Sequence, residues 1–138
     1  MSIRRKAREL ALQCLYQQEM LGLDAKQSFD KLCAHFEVNK KAVPYALKII
    51  DGVNSHLNEI NTLINEHAKN WRLGRMAVID RNIIRIAVLE FCINNDVPAS
   101  VAINEALDIA KRYSSPDAAS FINGVLDAIK NHEKKKVG

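Results

Sequence analysis

The stretch Met76–Ile93, MAVIDRNIIRIAVLEFCI, decides the fold class. Its isoleucine and valine content suits a β-strand, because branched side chains pack well on a pleated surface. Its spacing does not. Ile79, Ile83, Ile86, Leu89 and Ile93 recur at intervals of four, three, three and four. That keeps them on one stripe of a helix, where a strand would alternate at every second residue. A period sustained over this length outweighs residue preference, and the segment is predicted to be an amphipathic helix.

The same period extends outward in both directions. Upstream, Leu47, Ile50, Val53, Leu57, Ile60 and Ile64 step by three, three, four, three and four. They predict a single helix from about Val43 to Lys69, with Pro44 in the first turn, where its missing N–H costs nothing. Gly52 inside this run weakens a helix by about 1 kcal/mol relative to Ala, which packing is expected to override. Trp71-Arg72-Leu73-Gly74 marks a turn. At the start of the chain, Ile3, Ala7, Leu10 and Cys14 share one face, and Leu12, Leu15 and Tyr16 cover others. A helix from Ser2 to Met20 is therefore expected to be surrounded beyond its first two turns, ending at Leu21-Gly22. A second helix, Ala25 to Phe36, carries Phe29, Leu32, Cys33 and Phe36 on one stripe. Downstream, Asn94-Asn95-Asp96 closes the isoleucine-rich helix. Another starts at Pro98 or Ser100 and carries Val101, Ala102, Ile103, Ala106, Leu107, Ala110 and Tyr113. Ser115-Pro116-Asp117 supplies an N-cap, a first-turn proline and a first-turn acid. The last helix carries Phe121, Ile122, Val125, Leu126 and Ile129. No repeat or linker interrupts the pattern. The expected fold is all-α, a single-domain bundle of about six to seven helices over residues 1–138, with 130–138 a flexible basic tail.

Length and composition agree. A chain of 138 residues fits one domain with a real core. Hydrophobic residues at 48% with only five Gly and three Pro exclude collagen-like, low-complexity and disordered classes. No apolar run approaches the ~18 residues of a membrane span. The opening MSIRRKAREL has charges without the apolar segment of a signal peptide, so a cytoplasmic location is expected. Cys14, Cys33 and Cys92 are odd in number, form no CxxC pair and have apolar sequence neighbours. They are expected to be small buried hydrophobes in a reducing compartment. No glycine-rich phosphate loop occurs, and His35, His56, His67 and His132 have no ligand spacing. Neither cofactor nor metal is expected, and the pattern favours binding over catalysis.

The net charge of +4 is unevenly placed. Residues 1–10 hold Arg4, Arg5, Lys6 and Arg8 against Glu9. Residues 130–138 hold Lys130, Lys134, Lys135 and Lys136 against Glu133, while the body between is slightly acidic. The C-terminal lysines suit a solubilising tail. The N-terminal cations do not suit their own helix. Cations in a first turn oppose the macrodipole at about 0.3–1 kcal/mol each, whereas forked arginine donors fit phosphate. An anionic ligand is predicted there. A second cluster, Lys111-Arg112-Tyr113-Ser114-Ser115-Pro116-Asp117 followed by Phe121, puts cations, aromatics and hydroxyls at a helix–helix turn. Taken alone it suits core aromatics and helix-end cations. It also suits single-stranded RNA, whose bases stack on aromatics while its phosphates meet cations.

Three stretches together carry a resemblance: RRKARELA at 4–11 running on through Leu15-Tyr16; IDRNIIRIAVLE at 79–90; and VPASVAINEALDIAKRY at 97–113 with the Asp117 turn and FINGVL at 121–126. The chain resembles the bacterial transcription antitermination factor NusB family over essentially its whole length. The resemblance implies an all-helical cytoplasmic protein that pairs with a small-subunit ribosomal protein, NusE. The pair would bind the boxA element of nascent RNA and support processive transcription of ribosomal RNA operons by RNA polymerase. It maps RNA contacts onto Arg4, Arg5, Lys6 and Arg8, and onto Lys111, Arg112, Tyr113, Asp117 and Phe121. It maps the partner surface onto Asp80 and Arg81, and it leaves Asn104 and Glu105 to capping or packing. Four phosphate contacts on a single strand give a salt slope near −2.8, a roughly 50-fold loss for a fourfold rise in salt. Two rivals stand beside this: the helical N-terminal piece of an RNA cytosine methyltransferase, and a pure protein-interaction module. A homodimer stays open too. Trp71, Leu73 and Met76 would be its apolar patch if they are not core, which is the preferred placement, and a dimer masking Arg4 to Arg8 would be an off state.

Overall fold

The computed structural model describes residues 2–68 and 73–137, and side chains through residue 134. Trp71 and Arg72 of the expected turn, and the side chains of Lys135 and Lys136, lie outside the described residues. The α-helices in chain order are α1 (Ile3–Leu21), α2 (Ala25–His35), α3 (Val43–Ser55), α4 (Leu57–His67), α5 (Val78–Val88), α6 (Ala99–Tyr113) and α7 (Pro116–Val137). Short 3-10 turns lie at Lys40–Ala42 and Leu73–Arg75, and Leu89–Ile93 is a π-helical turn. No strand occurs among the described residues, so the all-α expectation holds.

Local chemistry sets the ends. Ser2 caps α1 by accepting from the Arg5 N–H at 3.0 Å. Gly22 closes that helix in the left-handed region at φ 66°, which glycine adopts without a Cβ penalty. Asp24 and Gln27 form a reciprocal capping box on α2. Ser115 Oγ accepts from the Ala118 N–H at 3.1 Å, placing Pro116 first in α7 as its sequence predicted.

The deciding stretch becomes the centre of the bundle. Ile83, Ile84, Ile86, Ala87, Val88 and Leu89 are all buried, and α5 packs against α1, α4, α6 and α7. Each fully buried branched side chain contributes roughly 1.5–3 kcal/mol. The helix starts at Val78, two residues later than its stripe suggested, and widens at Leu89 into the π turn.

Two expectations need correction. The single helix over 43–69 is two, separated at His56, whose φ −113° and ψ 23° are not helical. Periodicity reports which residues face the core, not whether the chain runs straight. Ile50, Val53, Ile60 and Ile64 stay buried on both sides of the break. Secondly, Cys14 is buried, but Cys33 is exposed and Cys92 half-buried. Sequence neighbours are not spatial neighbours: α2 buries only Ser28 and Leu32, so Cys33 faces outward and Phe36 stands past the helix end in solvent. Residues 130–137 continue α7 as helix. The His132 ring meets the His67 ring of α4 edge-on at 5.0 Å.

Gly52 has a reason in the packing. A Cβ on it would lie 2.8 Å from both methyl carbons of the buried Leu89, so a larger residue requires that side chain to shift. No helix among the described residues is long and apolar enough to cross a membrane.

Candidate nucleic-acid interface

The start of α1 lies against the π turn and α6, and its four cations have divided duties. Arg8 is 3% exposed. Its Nε donates to both carboxylate oxygens of Glu90 at 3.0 Å, and its terminal nitrogen ion-pairs with Glu90 at 2.9 Å. Glu90, 2% exposed, also accepts from the Tyr45 hydroxyl. Burial would lower the Arg8 pKa, but hydrogen bonding and attraction to Glu90 outweigh it, and the pKa is raised. Burial and the bond to Glu90 push Tyr45 up to about 12. Arg5 hydrogen-bonds Glu105 through Nε and Asp108 at 3.0 Å through a terminal nitrogen. Those carboxylates, the Glu105 bond foremost, raise its pKa.

Arg8, expected to contact RNA, is enclosed in the fold: Glu90 of the π turn holds its guanidinium, and Glu105 of α6 lies 3.7 Å from a terminal nitrogen. Arg5 is half-buried and engaged as well. Arg4 and Lys6 are exposed. Arg4 lies over the Tyr45 ring at 4.8 Å to the centroid, with Arg8 at 5.7 Å and the Lys48 ammonium at 5.9 Å, so one ring supports three cations.

The second predicted cluster meets the first through Glu9. Glu9 is buried, yet it accepts from the Tyr113 hydroxyl at 2.7 Å and from Arg112 at 3.2 Å. Burial and the bond to Glu9 raise the Tyr113 pKa, and Arg112 also lies 5.6 Å from the Tyr113 ring centroid. Two segments a hundred residues apart thus form one face. Lys111 and Asp117 are exposed, and Phe121 is half-buried.

The predicted partner residues sit beside this face. Asp80, in the first turn of α5, accepts from Ser114 Oγ at 2.6 Å. Asp80, Arg75, Met76, Ser115, Asp117 and Phe121 help line a groove of about 310 Å³. Arg81 is turned inward: it ion-pairs with Glu19 and donates to the Leu73 carbonyl at 3.1 Å. Glu19 also receives Arg85 at 2.8 Å. Burial, then the neighbouring Arg85, lowers the Arg81 pKa, and burial alone lowers that of Arg85. Met76 is buried and Leu73 packs on the core, the preferred placement for both. Glu105 pairs with α1, which matches the packing role expected of it.

Sequence reasoning missed Glu9, Tyr45 and Glu90. Glu90 had left a signal: an acid inside the apolar run RIAVLEF must either find a cation or lose its charge. Among the described residues, no three His, Cys, Asp or Glu side chains converge as a metal site would need.

Comparison with known proteins gives this face its context. The family model described as the NusB family matches residues 5–131. The transcription antitermination protein NusB of Desulfotalea psychrophila is 48% identical, over 94% of this chain and 96% of that protein. Among solved structures, T. maritima NusB superposes with a TM-score of 0.81 at 36% identity, covering 91% of this chain and 89% of that one. A crystal structure of the antitermination factors NusB and NusE in complex with double-stranded RNA gives a TM-score of 0.85 at 28% identity, covering 96% of this chain and 98% of its counterpart. A family match over residues 5–131, with 48% identity to one member across 94% of the chain, shows that the chain belongs to the NusB family of transcription antitermination proteins.

Proposed function

We propose that this chain, a transcription factor and not an enzyme, binds boxA-type single-stranded RNA of nascent ribosomal RNA transcripts. It does so together with the small-subunit ribosomal protein NusE, and the complex keeps RNA polymerase processive in the cytoplasm. The observation that carries this is the Glu9 junction, which brings the cations of α1 and the cation–aromatic end of α6 onto one face. The RNA contacts are Arg4, Lys6, Lys111, Arg112, Tyr113, Asp117 and Phe121, with Arg5 and Arg8 holding α1 from behind. Asp80 and the groove it shares with Asp117 and Phe121 mark the side where NusE docks. Arg81 acts there by bracing the start of α5.

Four exposed cations face RNA, with Lys111 and Arg112 taking the places of Arg5 and Arg8 in the count. The salt slope therefore stays near −2.8. Fluorescence anisotropy with a boxA-like strand, titrated across salt with and without NusE, tests this. A slope near that value and tighter binding with NusE are expected. A salt-independent affinity, or one that NusE leaves unchanged, would refute the reading. A duplex of the same sequence is the control, since aromatics beside cations favour unpaired bases.

A further inference from the structure

A groove of about 400 Å³ runs along α1, between that helix and the segment joining α2 to α3. Lys6, Glu9 and Gln13 line it from α1, and Phe36, Glu37 and Asn39 from the connecting segment. Phe36 is 64% exposed. Such an aromatic is costly to leave in water unless something covers it. The backbone that carries it is anchored: its N–H donates to the Leu32 carbonyl at 2.9 Å. Three residues on, Asn39 accepts from the Lys41 N–H at 2.9 Å and fixes the 3-10 turn. Lys40 and Lys41, both exposed, stand there between the lining residues Asn39 and Ala42.

Two facts identify the occupant. The groove is continuous with the proposed RNA face, because Lys6 belongs to both and Glu9 ties the groove wall to Tyr113 and Arg112. Cations also stand at its edge: Lys6 lines it beside Glu37 and a Glu9 already committed to Arg112 and Tyr113, and the exposed Lys40 and Lys41 flank it between the lining residues Asn39 and Ala42. An aromatic among cations is the arrangement that holds unpaired nucleotides, one by stacking and the others by phosphate pairing.

We propose that this groove is a second nucleotide subsite, in which Phe36 stacks a base of the RNA strand as it leaves the α1–α6 face, while Lys6, Lys40 and Lys41 meet the adjoining phosphates. The inference rests on the RNA reading above and extends the footprint onto a segment that no sequence motif singled out.

The test uses the full chain with saturating NusE and two boxA-like single strands, one of about six nucleotides and one of about twelve. Phe36→Ala is expected to weaken the longer strand by about fivefold or more and to leave the shorter one unchanged. Phe36→Trp keeps the longer strand's affinity and Phe36→Leu does not, since stacking needs an aromatic face and not merely apolar bulk. The double substitution K40E/K41E flattens the salt slope of the longer strand by about 0.7 per lost contact. Full affinity in Phe36→Ala or Phe36→Leu, equal weakening of both strands, or a loss confined to NusE affinity overturns the subsite. If the unaltered chain binds neither strand, the RNA reading itself has failed and the subsite with it. Binding by the unaltered chain with no length-dependent loss sinks the subsite alone.

Discussion

Replacing Glu90 with Gln should separate a strut from a ligand. Glu90 is the only acid whose carboxylate takes both the Nε and a terminal nitrogen of Arg8, among the described residues, and it also accepts from Tyr45. The amide leaves a 3%-exposed guanidinium facing a neutral group that itself carries donors. Removing one member of a buried pair costs about 3–5 kcal/mol, and here the surviving charge keeps only the longer contact to Glu105 at 3.7 Å. Against a total stability of about 5–15 kcal/mol, that is a large share. It corresponds to a fall in melting temperature of about 10–15 °C for a domain of this size. Urea denaturation followed by far-ultraviolet circular dichroism measures it directly. The companion is the triple variant R8M/Y45F/E90L, which removes both charges and the orphaned hydroxyl. Well-packed apolar replacement of a buried pair is close to neutral or better, so most of the lost stability should return. The triple variant should also keep the RNA salt slope, since no phosphate contact has been removed. A cost below about 1 kcal/mol for E90Q would refute the buried-pair reasoning. A slope flattened by about 0.7 in the folded triple variant would show that Arg8 meets phosphate after all.

Other outcomes follow from the same geometry. Arg4→Glu and Lys111→Glu should each flatten the salt slope by at least about 0.7 while leaving the melting temperature nearly unchanged; a steep loss of stability would place these residues in the fold. Gly52→Ala trades a helix-propensity gain of about 1 kcal/mol for an overlap with Leu89 that costs about 1–3 kcal/mol. A net loss of about 1 kcal/mol is expected in denaturation, and a more stable variant would contradict the overlap. Tyr45 holds its proton to about 12 in the folded chain, whereas the unfolded phenol ionises near 10. Stability is therefore level in this respect below about pH 10 and falls from there to about pH 12. The ceiling is about 1.4 kcal/mol per unit, reduced by solvent screening at a half-buried ring. Tyrosinate absorbance and denaturation at stepped pH would check this, and Tyr45→Phe should remove the decline it causes.

The helices were legible because their signal is local. The stripe through Ile79, Ile83, Ile86 and Leu89 needs no knowledge of what packs on it, and the Ser115–Asp117 start is complete in three residues. The break at His56 was not legible, because a stripe can bend without losing its facing. The two basic clusters could be found, but their internal division could not. Arg4 and Arg8 look alike in the chain; only the arrival of Glu90 and Tyr45 makes one a surface donor and the other a buried strut. Phe36 looked like core because it continued the stripe of α2, yet the helix ends at His35 and the ring points into solvent.

The counter-ions of α1 have a consequence for synthesis. Arg8 waits for a residue 82 positions later, Arg5 for residues 100 and 103 positions later, and Glu9 for one 104 positions later. A chain emerging at about 5–20 residues per second exposes α1 for several seconds before those groups arrive. During that interval its arginines are free to meet any nucleic acid near the ribosome. Completion of α6 withdraws Arg5 and Arg8 from that pool, so the finished fold narrows which cations RNA meets, and an unfinished chain offers a less selective version of the same helix.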